Sequence, residues 1–490
     1  MTIAPSRPRA AAPAATASPP GSAAAATTTG QAVIAPQPLS VHIRETVKLA
    51  LPLIAARTGL ILMLTVDTVM TGRLGGEELA FLAVGISPQI TLMLVAIGAL
   101  QATVVLTAQA IGAGESWRAG AVLRAGLIHA ALLGVLAGLA AIWAEEMFLA
   151  VGQSPSVALG AAEVSHAFAL GLPGLLMYIV ASFFLEASGR PRTSMVIIFV
   201  ANLLNVPLNG VLALGWGGLI APMGADGAVL ASSILRWGAF LAAFACIVLP
   251  ARGGDQFGVL APAADWGRAA LTLGGAVGRQ IRRLGLPMGI AQGIESSAFT
   301  TVVFIAGSAG AAVAAAHQTT MTLVVLVYMC AIGFGGAAAI RVGRAVGRGS
   351  APDVRRAGLS AVALGSLVAL PAGLLFLAVP EAMVRLVTDD AAVAAIAAPA
   401  LRLVGLFLAF DAANGITTGA LRGMGEVWIP MFTQCASFWL VAVPLAWWFG
   451  VGLGWGPVGL IAGICAGMVA SAGTLVPRFV LVSGRPPKRL

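Results

Sequence analysis

Charge is scarce in this chain: of 490 residues only 10% are Asp, Glu, Lys or Arg, and 19 are acidic. A soluble domain carries about 25% charged residues, so a water-solvated globule of this length is excluded. Cysteine is as thin. Cys246, Cys330, Cys435 and Cys465 stand singly, without the close spacing of a metal cluster or disulfide framework, and read as small apolar packing residues. Also missing are an HExxH zinc site, a GxSxG nucleophile elbow and a phosphate-binding P-loop. Those gaps argue against a membrane-embedded enzyme using an acid pair for hydrolysis. Without a nucleotide-binding segment, any work must draw on an ion gradient or an external partner. No cleavable signal peptide is expected: the first long apolar run starts near Lys48 and is too long, so it is expected to serve as the targeting signal.

Apolar sequence fills the chain instead, at 59% of residues and a mean hydropathy of +0.95. Twelve stretches are each long enough to cross a hydrocarbon core of about 30 Å as a helix rising about 1.5 Å per residue. They cover 45–71, 79–111, 119–143, 158–186, 193–215, 226–250, 283–306, 312–343, 355–379, 391–420, 428–449 and 456–481. The expected fold is all-α and integral to the membrane. Pro88 is a candidate kink in the second span, because proline removes a backbone hydrogen bond and crowds the preceding turn. Residues 1–40, rich in Ala, Pro, Ser and Thr, cannot bury enough surface to offset their ordering entropy and are expected to be disordered.

The net charge of +9 does not point to nucleic acid, because its placement follows the membrane. Of 28 Lys and Arg, 23 lie in the N-terminal segment through Lys48, the even-numbered connections and the C-terminus. Arg73 and Arg385 alone lie on the other face, and Arg57, Arg236 and Arg402 lie in or near spans. The positive-inside rule then places both termini in the cytoplasm, which requires an even number of spans.

The two halves repeat. Pro52 and Pro287, Gly72 and Gly307, Gly75 and Gly310, Gly112 and Gly347, and Gly114 and Gly349 are each 235 apart, and Gly189 and Gly425 are 236 apart. One such match means nothing among 61 glycines, but six on one diagonal do. Two six-helix lobes in the same orientation follow, pseudo-symmetric about an axis along the membrane normal, with a central cleft between them. The expected organisation is a tail (1–40), an N-lobe (41–250), a cytoplasmic connection (251–282), a C-lobe (283–482) and a basic C-terminal tail (483–490).

Three acids, Asp67, Glu295 and Asp411, sit inside apolar runs. A charge at mid-bilayer costs roughly 2.5–3.5 kcal/mol on insertion scales, so such residues usually face a cavity and handle protons, cations or substrate. They break the repeat: the 235 offset pairs Glu295 with Leu60 and Asp67 with Val302, and a 236 offset pairs Asp411 with Leu175. Residues needed only for folding should recur in both halves, so the asymmetry favours function.

Several motifs resemble the MATE (multidrug and toxic compound extrusion) family, in its NorM-like bacterial branch. They are VDTVMTG from Val66 to Gly72, LNVPLN from Leu204 to Asn209, LGLP from Leu284 to Pro287, AAHQ from Ala315 to Gln318, IRVGRAVG from Ile340 to Gly347 and GALRGMG from Gly419 to Gly425. The resemblance implies an antiporter of the bacterial inner membrane, exporting organic cations and amphipathic drugs in exchange for Na+ or H+. No cofactor beyond that ion, no nucleotide and no nucleic acid is expected; the surrounding partner is lipid, and the expected state is a monomer. It further implies an N-lobe coupling site at Asp67 with Asn205, Asn209 and Ser232, and a C-lobe site at Glu295 and Asp411, with all three acids candidate Na+ ligands. Pro52 and Pro287 match helix-kink positions. A tyrosine expected one turn before the second C-lobe acid is Phe407 here, which removes a hydroxyl and adds weight to proton coupling.

Read from chemistry alone, a carboxylate with two amides and a hydroxyl suits either an oxygen shell for sodium or a hydrogen-bond cage for an acid proton. Asn205 and Asn209 lie four apart and share a helical face. Removal from water favours a neutral acid and a bound cation favours the carboxylate, so proton, sodium and cationic drug compete for one site. Fifteen Met, with Phe and Trp in the spans, supply adaptable surface for varied guests. Glu163, His166 and Glu186 are expected to snorkel at span ends, His129 to pack alone, and His317 with Gln318 to hydrogen-bond between helices. Arg341, Arg344 and Arg348 are expected to mark topology and touch anionic lipid. A lipid or lipid-linked oligosaccharide flippase stays open as the alternative, although its anionic substrates call for an Arg-dominated cavity.

Overall fold

The structure, a computed structural model, describes residues 37–218 and 220–490. Most of the segment expected to be disordered lies outside the described residues, while Leu39 and Ser40, which composition assigned to it, already begin a helix. Among the described residues twelve helices are long and apolar enough to cross a membrane: α1 Leu39–Gly72, α2 Gly76–Gly112, α3 Ser116–Ala150, α4 Pro155–Ala187, α5 Pro191–Leu212, α6 Ala225–Ala251, α7 Gly275–Ser308, α8 Ala311–Arg348, α9 Ala351–Ala378, α10 Ala391–Gly423, α11 Trp428–Gly452 and α12 Gly456–Val482. No strand occurs among the described residues. The fold is all-α and membrane-integral.

The largest departure from the expected spans is the start of α7. Arg279, Arg282 and Arg283 read as part of a connection, yet no proline or turn signal interrupts Gly275–Ser308 before Pro287, and the helix carries its basic turns beyond the apolar stretch. Before it, a short helix, Ala263–Leu271, belongs to a connection tied to α3. There Gly120 N–H donates to the Phe257 carbonyl (2.7 Å) and Arg124 to the Gly258 carbonyl (2.8 Å). In α2 the helix runs on through Pro88 and is interrupted at Gln101, whose N–H turns to the Ile97 and Gly98 carbonyls. Pro52 and Pro287 are buried inside helices that continue past them. Ser437–Ala442 and Trp448–Gly452 of α11 are π-helical, flanking Pro444.

The repeat reappears as a repeated contact. A Cβ at Gly98 on α2 would lie 2.9 Å from the Met288 carbonyl and 3.1 Å from Gly289 Cα on α7. A Cβ at Gly333 on α8 would lie 2.9 Å and 3.0 Å from the backbone N and Cα of Ile54 on α1. Gly98 and Gly333 are 235 apart, as are Ile54 and Gly289. On the axis itself, Gly112 and Gly347 meet: a Cβ on Gly347 would strike the Gln109 carbonyl and sit 2.9 Å from Gly112 C, and one on Gly112 would strike the Arg344 backbone.

The first two approaches fall near mid-helix and the third at the helix ends on the face that carries both termini, where polar contacts reinforce the seam. Arg422 donates to Gln101 Oε1 (2.6 Å), Gln109 to the Gly423 carbonyl (3.0 Å) and Arg344 to the Ala187 carbonyl (2.8 Å). Arg341 donates to His42 Nδ1 (2.8 Å) and to the His42 carbonyl (2.6 Å), and the other nitrogen of His42 faces Asp353 at 3.4 Å. His129, expected to pack alone, receives Arg282 across the seam at 3.0 Å. At the opposite face a Cβ on Gly72, Gly75, Gly307 or Gly310 would meet nothing within 4 Å. Close contact between the lobes is thus found on the terminus side and not at these four glycines. Arg341, which is buried, and Arg344 of the α8 series thus clamp the lobes together, whereas Arg348 turns to Asp353 within its own lobe (3.4 Å); spacing along one helix could not reveal the partners on another.

Candidate functional site

Asp67 lies five residues before the end of α1 and is 1% exposed. Its neighbours come from α5 and α6. Asn205 Nδ2 donates to Oδ1 at 3.2 Å, Asn209 Nδ2 to the same oxygen at 2.8 Å, and Ser232 Oγ to Oδ2 at 2.5 Å. Asn205 also donates to Ser232 (2.9 Å) and Asn209 to Asn205 Oδ1 (3.1 Å), which closes the ring. The four expected N-lobe residues are therefore assembled, and all are buried. The amides turn their nitrogens toward the carboxylate, and Asn209 Oδ1 is buried without a partner among the described residues.

One turn away, Asn202 holds the cage in place. Its Nδ2 donates to the Gly59 carbonyl (2.9 Å) and the Ile198 carbonyl (2.8 Å), where a Cβ on Gly59 would crowd Ile198 at 3.0 Å. A small residue on α1 lets α5 approach, and an amide locks the contact. No basic group lies within ion-pair distance of Asp67 among the described residues. Arg236, one turn beyond Ser232, is within electrostatic reach of it.

In the C-lobe, Asp411 on α10 is buried and lines a cavity with Met321, Val324, Phe407, Cys465 and Met468. Glu295 on α7 is half-buried and within electrostatic reach of Asp411 and Arg422. Neither carboxylate has a protein hydrogen-bond donor among the described residues, in contrast to the caged Asp67. Sequence reasoning missed Tyr328. From α8 it reaches the vicinity of both acids, and a Cβ on Gly415, one turn after Asp411, would lie 3.8 Å from its hydroxyl. A phenol thus arrives from a different helix near the site that Phe407 leaves without one. Its proximity depends on how α8 packs against α10, which no spacing rule encodes.

Three readings of lesser residues need correction or completion. Glu186 does not snorkel: it is 1% exposed, accepts two bonds from Arg57 Nη2 (3.0 and 3.1 Å) and one from Ser182 (2.8 Å), with Arg57 also over the Phe183 ring. Glu163 and His166 are exposed, as span-end residues should be. Among the described residues His317 and Gln318 make no interhelical pair: His317 is buried with Nδ1 unpartnered, and Gln318 faces outward one residue on, about 100° around the helix. No group of three or more His, Cys, Asp or Glu suited to a metal ion occurs among the described residues, and the four cysteines are free.

Comparison with known proteins places this geometry. The MatE family profile matches residues 52–211 and 287–448, once in each lobe. The chain is 32% identical over 453 residues to the "Probable multidrug resistance protein NorM" of Caulobacter vibrioides, covering 92% of this chain and 94% of that one. It is 30% identical to the "Multidrug resistance protein PmpM" of Pseudomonas aeruginosa, covering 89% and 90%. Among solved structures, an outward-facing multidrug resistance MATE family transporter of the MOP superfamily superposes with a TM-score of 0.81 at 20% identity, over 91% of this chain and 97% of that one. The eukaryotic MATE transporter AtDTX14 does so at 0.79 and 19%, over 91% and 96%. The doubled match coincides with the 235-residue repeat, and the relatives span nearly the whole chain: this is a multi-pass membrane protein of the MATE family, in its NorM-like branch.

Proposed function

We propose that the protein is a secondary active antiporter that exports cationic or amphipathic organic compounds in exchange for Na+ or H+, by alternating access of the cleft between its lobes. The observation that carries this reading is the buried Asp67, held by three uncharged donors and by no paired base. A carboxylate so placed is costly without a cation or proton, and its donors can reorganise: the Ser232 hydroxyl can reverse, and each amide can turn its oxygen inward to face sodium. Glu295 and Asp411, lacking protein donors, offer a second place for positive charge, with the Tyr328 hydroxyl near at hand. The half-buried exposure of Glu295 and the cavity at Asp411 suit guests larger than an ion.

Exchange follows if ion and drug prefer different lobe arrangements, because a ligand with equal affinity for both would shift nothing. The arrangement described has its seam closed on the terminus side. With the 23 positive residues on that side in the cytoplasm of a bacterial inner membrane, a closed seam there suits an outward-facing state, which would release drug and admit a cation. The test is dye efflux in everted vesicles under an imposed sodium or pH gradient, comparing wild type with Asp67→Asn. Loss of gradient-driven efflux is expected, and unchanged efflux would remove Asp67 from the mechanism.

A further inference from the structure

His42 stands where the lobes meet on the face that carries both termini, and the cation-handling scheme leaves it unused. It lies in the first turn of α1, ahead of the apolar run 45–71, and is fully buried. Arg341 of α8 donates from Nη2 to His42 Nδ1 at 2.8 Å and from Nη1 to the His42 carbonyl at 2.6 Å. A guanidinium accepts no hydrogen bond, so Nδ1 must present its lone pair. The ring proton is therefore on Nε2, which donates to Asp353 Oδ1 of α9 at 3.4 Å. That assigns the imidazole its neutral form while the lobes are in contact. Asp353 is already engaged, since the Gln37 N–H donates to Oδ1 (2.9 Å) and Arg348 to Oδ2 (3.4 Å). The charged groups that act on His42 are Arg341 and Arg348 from α8 and Asp353 from α9; the other helices packed on α1 bring none among the described residues. Glu45, one turn along α1, is within electrostatic reach of Arg341 and lies 3.9 Å from Lys48. A second proton on His42 would aim an N–H at the guanidinium and set three positive groups around one carboxylate.

We infer that His42 is a proton-sensing latch on the terminus-side seam: the neutral ring holds α1 to Arg341 of α8, and a proton taken up on Nδ1 while the lobes are parted keeps them from closing. The inference rests on the alternating-access reading and adds a control to it. Once parted from Arg341 and wetted, an imidazole takes its second proton near about pH 6.5. The closed seam binds one proton fewer than the open one, so its stability is full above that value and is lost as the pH falls through it. With this face in the cytoplasm, a carrier that has delivered its cation must shed the His42 proton before closing again. Acidification of the cytoplasm thereby slows the cycle that would carry more positive charge inward. The latch is distinct from the coupling acids, because Asp67, Glu295 and Asp411 are not among the groups that act on His42.

The seam is read directly in purified full-length protein, as the separation of spin labels at Trp117 and Arg355 in opposite lobes. Between about pH 8 and about pH 5.5 the parted population should gain about tenfold on the closed one, the ratio of charged to neutral imidazole at the lower value. His42→Asn keeps an oxygen to accept from Arg341 and cannot take a proton, so its gain should be several-fold smaller. Arg341→Gln presents an amide that donates to the neutral ring or accepts from the charged one, so it too should close at both pH values. It carries the comparison should His42→Asn fail to fold. A gain in either variant equal to that of wild type overturns the latch. Wild type whose labels move on adding sodium or ethidium but not on acidification overturns the latch alone. Wild type whose labels hold one separation under all three treatments refutes the alternating-access reading beneath it.

Discussion

Replacing Gly347 by alanine adds one methyl group at a place on the terminus side where the two lobes meet backbone to backbone. That carbon would strike the Gln109 carbonyl and lie 2.7 Å from Ala113 N and 2.9 Å from Gly112 C. None of these atoms is the end of a flexible side chain, so relief requires the lobes to separate. Overpacking of this kind costs about 1–3 kcal/mol. The penalty applies only while the terminus-side seam is closed, so it becomes a shift in the balance of states of about 5- to 150-fold toward the arrangement with that seam open. The assay is the distance between spin labels at Trp117 and Arg355, exposed residues of opposite lobes, in a background without the four native cysteines. Wild type should populate mainly the short distance, and Gly347→Ala should move most of the distribution to a longer one. Gly307→Ala is the control, since its methyl meets nothing within 4 Å. An unchanged distribution in Gly347→Ala would refute the claim that close backbone approach holds the seam.

Arg57→Met should destabilise the fold by about 3–5 kcal/mol, because it strands Glu186 as a buried charge; thermal unfolding in detergent should show a marked drop, largely restored when Glu186→Leu is added. Tyr328→Phe should leave folding intact and weaken C-lobe cation binding by about 1 kcal/mol, the net worth of a hydrogen bond. Isothermal titration with sodium, or proton release on drug binding, checks this, and identical curves would detach the phenol from the site.

What could be read from residues alone divides along a physical line. Helix number, the repeat and the shared face of Asn205 and Asn209 were legible, because apolar length, a constant offset and a four-residue spacing are properties of the chain taken one segment at a time, whereas the grouping of those residues with Asp67 and Ser232 came only with the resemblance to the family. The start of α7 was misjudged because Arg279, Arg282 and Arg283 look like a connection, whereas a helix can leave the bilayer with its polar turns intact. The partners of Glu186, Arg341, Tyr328 and Arg236 were not legible. Each depends on the rotation of one helix against another far away in sequence, and periodicity along one helix is silent about what it will face.

The seam through Gly112 and Gly347 also bears on what the protein must never do. A sliding displacement of a fraction of an ångström would drive carbonyl into carbon, so the joint tolerates full engagement or release and little between. On the alternating-access reading proposed above, such a joint disfavours the half-parted posture in which water would thread the bilayer from end to end. The same missing side chains that let the lobes close thereby guard the membrane against leakage.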